Sequence, residues 1–492
     1  MSTGVVAAGH PLTASAGAEI LRAGGNAVDA ALAAMLTSFV TEPLLTGLGA
    51  GGYMLVVAPG RDPVLLDFFV EASGRGADPE RRAPLIACDV SFGDAVQVFH
   101  VGASSCGTYG NPAGICAAVD RFGTVPLADL VAPAVALARD GVLMNEVQAY
   151  LFEILAPIYS ATPEARELFM PEGRIPRAGD VLRDPPLGDS LERLGAEGAA
   201  PFYSGDVGAL VSDYVCERGG TLTREDLAAY RAEPREPVHV SYRGRDVLTN
   251  PPPNAGGTLL AYALALLERT PGPPDALALI RAMERAQAER TPEFLTGLSE
   301  PGFLDRFMAT RLGSTTHISV LDGDGWACSV TCTNGEGSGI VVPDTGIHVN
   351  NMLGEQDLSP LGFFTHPPGR RLPSMMAPTV VLGTDGAPEL AVGSAGSNRI
   401  RSTLLQVIVN VIDRGMTAAE AVDAPRLHFE DGLVYAEPGI DGELVAGAGY
   451  ELAWFRHRNL FFGGCQAVER DPETGALDGA GDPRRGGAVV VA

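Results

Sequence analysis

A cluster of hydroxyl side chains with one histidine, GSTTHISV, covers residues 313–320 and leads into a β-branched stretch. A threonine hydroxyl is a weak nucleophile unless a base removes its proton. The residue's own α-amine can be that base once the preceding peptide bond is cut. Thr315 would then carry nucleophile and base together. The alternative is a loop that enters an ordinary strand, which is what short Ser/Thr runs usually are.

A partner for Thr315 comes from the next β-like run, GWACSVTCTN. If TTHISVLD is a strand, Thr315 and His317 point to one face, because side chains alternate along a strand. In the following strand Thr331 and Thr333 share a face, so Thr333 could reach Thr315 and hydrogen-bond its hydroxyl or amine. For His317 we favour a core or hydrogen-bonded structural role over a catalytic one.

Three further patterns resemble functional motifs but favour structural interpretations. GLGAGG (47–52) has the spacing of a dinucleotide loop, yet a helix precedes it and a strand follows, so we predict close backbone packing. Cys328 and Cys332 would share one strand face as core residues, since no second Cys/His pair lies nearby. DGDG (322–325) lacks the later ligands of a calcium loop and predicts a hairpin turn.

Composition narrows the class of protein. The 492 residues include 35 basic and 60 acidic side chains, a net charge of −25, which argues against nucleic-acid and anionic-membrane partners. Seven scattered cysteines favour a reducing compartment without a disulfide framework. The N-terminal residues lack the pattern of a signal peptide, so we expect a cytoplasmic protein. The apolar stretch 27–40 is too short to span a bilayer and predicts a buried helix.

Hydrophobic periodicity divides the chain into a helix-rich first part and a sheet-rich last part. Residues 10–40 predict two helices, the first ended by Gly24-Gly25 and the second capped by Asn26 and Asp29. GYMLVVAPGRDPVLLDFF and PVHVSYRGRDVLTNPP predict strand pairs. After Gly313 short β-branched runs recur, with one long helix at RIRSTLLQVIVNVIDRG. No flexible linker separates the two parts, which predicts one compact body.

Over nearly its whole length the chain resembles the γ-glutamyltranspeptidase family, whose members cleave themselves just before the first Thr of a T-T-H-x-S motif. Before the motif, the matching stretches include HPLTASAGAEILRAGGNAVDAALA and YRGRDVLTNPPPNAGGTLL. From the motif onward they include TTHISVLDGDGWACSVTCTNGEGSGIVV, GIHVNNML, VGSAGSNRI and GDPRRGG. So many matches in the same order are not explained by chance.

The resemblance implies catalytic roles for individual residues. Thr315 matches the nucleophile, whose freed α-amine is the general base, and Thr333 matches the threonine that orients it. GSAGSN matches the family's G-S-P-G-G-S, so the backbone N–H groups of Gly396 and Ser397 are expected to bind the oxyanion. Because these donors belong to the backbone, a serine at 397 need not abolish the role.

Substrate-binding residues are implied in the same way. Asn334 and Ser374 fall where the family holds the ends of the glutamyl group. Two residues could match the family's carboxylate that binds the substrate's amine. Aligning the family pattern without a gap from Asn350 gives Glu355, and aligning it on the Leu-Ser that follows gives Asp357. The resemblance implies neither a metal nor an organic cofactor.

The chain also departs from the family pattern where the substrate's α-carboxylate is bound. The family's D-F-R-E stretch reads DFFVE, so Phe69 stands in the place of the carboxylate-binding arginine. A phenylalanine cannot form the bidentate pair that an arginine makes with a carboxylate. Pro373 replaces one of two serines that bind the same group. Arg75, Arg399 and Arg401 are candidate replacement cations, which the sequence cannot place.

These observations lead to one architecture. The fold class expected from the resemblance is α+β, a four-layer αββα sandwich of the N-terminal nucleophile (Ntn) hydrolase type. A precursor would be cut between Ser314 and Thr315 into segments 1–314 and 315–492. The two segments would stay together as a heterodimer that forms one compact body.

The expected function is a γ-glutamyltranspeptidase-like enzyme that cleaves glutathione-like γ-glutamyl amides through an acyl-Thr intermediate, with water or an amine as acceptor. One alternative is an acylase of the same fold, similar to cephalosporin acylases, that acts on a non-glutamyl acyl amide. A second alternative is an uncleaved, non-catalytic homologue that serves as a binding protein.

Overall fold

Two antiparallel sheets lie face to face, and a layer of helices covers the outer face of each. The computed structural model describes residues 4–91, 96–288, 316–356, 358–359 and 361–492, with the side chains of 96 and 97 excluded. The strands are β1 (Gly4–Ala8), β2 (Gly51–Val57), β3 (Val64–Phe68), β4 (Ile86–Ser91), β5 (Val96–Val101), β6 (Val142–Leu143), β7 (Val181–Leu182), β8 (Glu233–Arg235), β9 (Val238–Tyr242), β10 (Arg245–Thr249), β11 (Thr316–Asp322), β12 (Ala327–Thr333), β13 (Val341–Val342), β14 (Ile347–His348), β15 (Thr379–Leu382), β16 (Pro388–Ala395), β17 (Leu427–Glu430), β18 (Leu433–Ala436), β19 (Glu451–Trp454), β20 (Gly464–Arg470), β21 (Leu477–Gly481) and β22 (Ala488–Val491).

The helices of the described residues differ widely in length. They are α1 (Pro11–Arg22), α2 (Ala27–Thr41), α3 (Asn111–Phe122), α4 (Leu127–Asp140), α5 (Glu146–Ile154), α6 (Ala156–Tyr159), α7 (Pro163–Phe169), α8 (Pro185–Glu197), α9 (Ala200–Tyr203), α10 (Asp206–Glu217), α11 (Arg224–Ala229), α12 (Gly256–Glu268), α13 (Ala276–Ala288), α14 (Arg399–Arg414), α15 (Ala418–Asp423) and α16 (Gly442–Gly447). None of these helices is both long enough and apolar enough to cross a membrane.

Strands from both parts of the chain build each sheet. The seven-stranded sheet has the order β22-β1-β11-β12-β2-β3-β8, and the six-stranded sheet has the order β21-β20-β16-β15-β10-β9. In both sheets, strands that precede the 314/315 bond pair with strands that follow it. Cutting that bond would therefore leave the two segments joined by continuous hydrogen-bonded ladders.

The layers follow from the alternation of side chains along the strands. In β2, Met54 and Val56 pack into the core under helices α1 to α4, while Tyr53 and Leu55 pack into the core between the sheets. Because both faces of the strand are covered, its sequence is a continuous apolar run instead of an alternating one. Helices α12 to α15 cover the six-stranded sheet through a further core. The predicted αββα sandwich is therefore confirmed.

Local signals in the sequence place the helices next to the site. Asn26 caps α2 by accepting hydrogen bonds from the backbone N–H groups of Val28 and Asp29, and the Asp29 carboxylate accepts from Asn26 N in return. This capping box satisfies backbone donors at the start of the helix. The predicted hairpins β2–β3 and β9–β10 are confirmed. Strand β1 was not predicted, because five small apolar residues carry too little periodicity.

Candidate active site

The start of β11 and the end of β12 meet at one edge of the space between the sheets. Thr316 pairs with Cys332 and His317 pairs with Thr331 in the ladder. Thr333 is the last residue of β12, pairs with Gly51 of β2, and accepts a hydrogen bond from Gly335 N at its Oγ1 (2.9 Å). Ser314, Thr315 and Asp357 lie outside the described residues.

A cleft of about 470 Å³, including its open mouth, begins at Thr333. Leucine and isoleucine side chains form its apolar part, and two arginines and one glutamate supply its charges. The polar and glycine lining consists of Thr333, Gly335, Glu336, Gly396, Arg399 and Arg485, and the apolar lining of Leu45, Leu151, Ile154, Leu155 and Leu460. Two of the predicted catalytic residues, Thr333 and Gly396, therefore share one concave site.

Gly396 and Ser397 form the sharp turn between β16 and α14. Their φ angles are +124° and +55°, and a Cβ built on Gly396 would lie 2.7 Å from Gly463 Cα. Position 396 therefore tolerates only glycine. The turn leads into the 16-residue helix α14, whose positive dipole end favours negative charge nearby. The two predicted oxyanion donors therefore lie at the start of this helix.

Asn334 lies next to the cleft, and the environment of its side-chain amide is unusual. Its side chain is fully buried, and neither amide atom has a hydrogen-bond partner among the described residues. Its backbone is held, because Asn334 N donates to Leu45 O at 2.8 Å. An unpaired buried amide costs free energy, so a water molecule or a polar group of a ligand is needed beside it.

Glu355 is the one of the two candidate amine-binding carboxylates that lies in the described part of the chain. Its buried side chain packs against Gly335, where a Cβ would lie 2.2 Å from Glu355 Oε1. Glu355 and Asn334 are thus brought together beside the cleft. Ser374 is buried as well, and its hydroxyl accepts a hydrogen bond from Met376 N at 3.1 Å.

Phe69 does not line the cleft; its side chain packs between the two sheets. The ring stacks on Tyr53 with 5.3 Å between ring centroids. The departure at Pro373 lies close to it, because Leu372 N donates to Val70 O at 3.0 Å and aligns the two segments. The two substitutions therefore change the same region, where the buried Arg371 donates to Phe69 O and faces Asp67 at 3.5 Å.

The three candidate replacement cations lie in different environments. Arg75 faces Glu71 and Asp226 at 3.6 and 3.4 Å, and Arg401 donates to Gln287 Oε1 at 3.2 Å. Arg399 alone of the three lines the cleft. Its Nε donates to Phe461 O at 2.9 Å, and its guanidinium lies 4.6 Å from the centre of the Phe461 ring.

Arg485 lines the cleft but was not singled out from the sequence. The only available signal was its place in the GDPRRGG stretch that matches the family. Burial and the nearby charge of Arg399 lower the pKa of Arg485 to about 10. A buried guanidinium beside a second one requires compensating negative charge.

Glu42 was also missed, although it is a charged residue directly after an apolar helix. Its carboxylate accepts a hydrogen bond from Thr316 Oγ1 at 3.3 Å. Burial raises the pKa of Glu42 to about 7, while the Thr316 hydroxyl and the charge of Arg485 act in the opposite direction. Glu42 and Arg485 both line a neighbouring pocket of about 360 Å³.

His317 is a structural residue, as predicted. Its Nδ1 lies 2.7 Å from Thr331 Oγ1 and its Nε2 lies 2.8 Å from Ser319 Oγ. Ser319 Oγ donates in turn to the carbonyl of Gln466 in the opposite sheet at 3.1 Å. Burial lowers the pKa of His317 to about 3. The neutral ring therefore links the two sheets behind the cleft.

The other predicted structural patterns are also confirmed. Cys328 and Cys332 are buried in the core under the helices. Gly49 and Gly52 lie against backbone carbonyls, since a Cβ on either would be 2.4 Å from the carbonyl oxygen of His348 or Thr331, respectively. DGDG forms the turn of the β11–β12 hairpin, where Asp322 N donates to Trp326 O.

The whole structure is similar to that of a solved acylase. The crystal structure of cephalosporin acylase from Bacillus halodurans superposes with a TM-score of 0.82 and 27% identity, over 99% of this chain and 96% of that chain. The γ-glutamyltranspeptidase of Helicobacter pylori matches 60% of this chain and 89% of that chain with a TM-score of 0.50 and 26% identity. The fold and the cleft thus define an Ntn-type amidohydrolase.

Sequence comparison identifies the family within that class. The family model described as gamma-glutamyltranspeptidase matches residues 13–298 and 281–492. The "Acylase ACY 1 proenzyme" of Pseudomonas sp. (strain SE83) is 33% identical over 531 residues, covering 100% of this chain and 94% of that protein. The "Glutathione hydrolase proenzyme" of Escherichia coli (strain K12) is 32% identical over 542 residues, covering 98% and 90%. The chain belongs to the γ-glutamyltranspeptidase family.

Proposed function

We propose that this protein is a precursor that cuts its own Ser314–Thr315 bond and then uses Thr315 Oγ as the nucleophile of an amidohydrolase. The observation that carries the proposal is that Thr333 and Gly396 line one cleft. Thr315 is covalently joined to Thr316, which pairs with Cys332 directly beside Thr333. Both relatives named above are proenzymes by name.

The proposed reaction has two halves. The α-amine of Thr315 takes the hydroxyl proton as Oγ attacks the amide carbonyl, and the backbone N–H groups of Gly396 and Ser397 bind the oxyanion. The C–N bond then breaks, the leaving amine takes up the proton, and an acyl ester remains on Thr315. Water or an acceptor amine attacks that ester and restores the enzyme. The two chain segments stay associated as a heterodimer through the shared sheets.

We propose γ-glutamyl amides as substrates, because the site offers both charges that a glutamyl group needs. The family resemblance assigns Glu355 to the substrate's amine, and Glu355 packs against Gly335, next to the buried Asn334, whose amide has no partner among the described residues. Arg399 and Arg485 supply positive charge in the cleft itself. The relative in Escherichia coli is a glutathione hydrolase by name.

A second candidate is an acylase that takes an acyl group without the glutamyl α-amine and α-carboxylate. Phe69 favours it, because the position of the family's carboxylate-binding arginine is filled by a ring buried between the sheets. The acylase relative in Pseudomonas and the similar cephalosporin acylase structure are consistent with it.

Intact-mass measurement tests the maturation step and the nucleophile together. Wild-type protein should give two fragments that meet at the Ser314–Thr315 bond, and Thr315→Ala should stay whole. An intact wild type with no amidase activity would contradict the proposal and support a non-catalytic homologue. Turnover of γ-glutamyl-p-nitroanilide and of glutaryl-p-nitroanilide by the matured protein then separates the two substrate classes.

A further inference from the structure

Two arginines approach the same cleft from different parts of the chain. Arg399 is the first residue of α14, and Arg485 lies in the turn between β21 and β22. We propose that Arg399 and Arg485 together form the subsite that binds a carboxylate on the acyl group of the substrate, in place of the arginine that position 69 lacks. This inference rests on the proposed amidohydrolase function and specifies how its acyl group is recognised.

Arg399 is held in a fixed orientation at the wall of the cleft. Its side chain is buried, its Nε donates to Phe461 O, and its guanidinium lies over the Phe461 ring. The stacked plane limits the rotamers that the side chain can adopt. Little conformational entropy is then lost when the guanidinium binds an anion, which favours tight binding.

Arg485 places its guanidinium beside the predicted oxyanion turn. Its Nη2 lies 3.6 Å from a Cβ built on Gly396, and its aliphatic part packs against Gly464. Its Nε is buried and has no hydrogen-bond partner among the described residues. A buried unpaired guanidinium nitrogen is costly unless an acceptor occupies the space in front of it.

Acidic groups act on both arginines. Glu336 in the cleft, Asp482 and Glu42 act on Arg485, and Glu430 acts on Arg399. Burial raises the pKa of Glu42 to about 7, so near neutral pH its carboxylate offsets only part of the positive charge. A carboxylate, which pairs bidentately with a guanidinium, is the anion that an acyl chain can carry into this site.

The shape of the cleft favours a short dicarboxylic acyl group. Leucines 45, 151, 155 and 460 line its apolar part and would cover the methylene groups of the chain. Arg485 Nη2 lies close to Gly396, so a carboxylate bound to it would be a short distance from a carbonyl held at the oxyanion turn. A five-carbon acyl group, glutaryl or γ-glutamyl, meets both requirements.

A matched pair of substrates measures how much the terminal carboxylate of the acyl group contributes to recognition. Glutaryl-p-nitroanilide and valeryl-p-nitroanilide have acyl chains of five carbons and differ only in the terminal group. The wild type should prefer the glutaryl compound in kcat/KM. Arg399→Gln and Arg485→Gln should each lower kcat/KM for it about 30-fold or more, mainly through KM, and leave the valeryl compound within about threefold. Arg485→Lys should recover part of the loss.

Arg269→Gln is the matched control, because Arg269 is an exposed residue at the end of α12. It should leave both substrates unchanged. Equal losses on both substrates in Arg485→Gln would assign Arg485 to oxyanion stabilisation and overturn the inference. A wild type that does not prefer the glutaryl compound would overturn it as well.

A binding measurement separates failure of the subsite from failure of the proposed function. Calorimetry with glutaric acid monoamide and with pentanamide does not depend on cleavage of an anilide, and it uses the wild-type protein as purified, because Thr315→Ala is expected to stay uncut. Binding of the monoamide alone, weakened about 30-fold or more in the Arg399→Gln and Arg485→Gln backgrounds, supports the subsite even if neither anilide is cleaved. Equal binding of both compounds, or of neither, overturns it.

Discussion

The hydroxyl of Thr316 donates a hydrogen bond to the buried carboxylate of Glu42, with 3.3 Å between Oγ1 and Oε1. Glu42 ends helix α2, and Thr316 opens strand β11 immediately after the proposed nucleophile. The contact therefore fixes the start of the catalytic strand to the helix layer. It also places a carboxyl group that titrates near neutral pH directly behind the cleft.

Glu42→Gln should stabilise the protein at pH 8 and have much less effect at pH 5. Between its ordinary pKa of 4.5 and its folded-state pKa of about 7, the unfolded chain loses this proton while the folded protein keeps it. The contribution of Glu42 to stability is therefore lost as the pH rises through this window. Glutamine stays neutral, so the gain at pH 8 should reach up to about 3 kcal/mol.

Urea unfolding at the two pH values measures the effect of Glu42→Gln. Glu443→Gln, at an exposed position, is the control for removing one negative charge. An equal change in the free energy of unfolding at pH 5 and pH 8 would show that Glu42 does not carry a raised pKa.

His317→Phe should destabilise the protein by about 2–4 kcal/mol at pH 7. An aromatic ring remains, but the larger phenyl group must fit against Gly393, and the hydroxyls of Thr331 and Ser319 lose a buried hydrogen-bond partner. Thermal and urea unfolding measure the loss, and His457→Phe at an exposed position is the control. A loss as small as that of the control would contradict the role of His317 in joining the sheets.

Wild-type stability should fall as the pH drops below about 6.5, and His317→Phe should weaken this dependence. Burial lowers the folded-state pKa of His317 and His348 to about 3 and that of His10 to about 4, and it also lowers that of His428. As the pH falls, these histidines bind protons in the unfolded chain but stay neutral in the folded protein, which favours unfolding in acid. Unfolding of both proteins at pH 7 and pH 5 checks the difference. Parallel curves would contradict it.

Gly396→Ala should lower kcat about 100-fold or more and destabilise the fold. A Cβ at this position would lie 2.7 Å from Gly463 Cα, and the backbone φ of +124° is strained for any other residue. Ser397→Gly is the paired control, because its φ of +55° suits glycine. It should change stability by less than about 1 kcal/mol and keep activity. Similar losses in both variants would contradict the assigned roles.

Thr333→Val should lower kcat about 100-fold, while Thr333→Ser should retain most of the activity. Valine keeps the shape of this cleft-lining side chain but removes the oxygen that accepts from Gly335 N. Steady-state kinetics of protein shown by mass to be cleaved separates a catalytic defect from a maturation defect. Full activity in Thr333→Val would exclude Thr333 as the residue that orients the nucleophile.

Local patterns in the sequence determined much of the fold. The capping residues Asn26 and Asp29, the Pro-Gly hairpin before Phe68, and the alternation that puts Thr331 and Thr333 on one face all depend on neighbours within a few residues. Such short-range preferences can be read from a single chain. The family motifs around Thr333 and Gly396 added the expected site.

Tertiary structure alone decided which side chains share the cleft. Arg399 lines it while Arg75 and Arg401 do not, Phe69 is buried between the sheets, and Glu42 meets Thr316 from 274 residues away. Each outcome depends on how two sheets and two helix layers stack, because packing between distant segments sets the direction of a side chain. The chain itself thus determines where the chemistry occurs, and the packing determines which charges surround it.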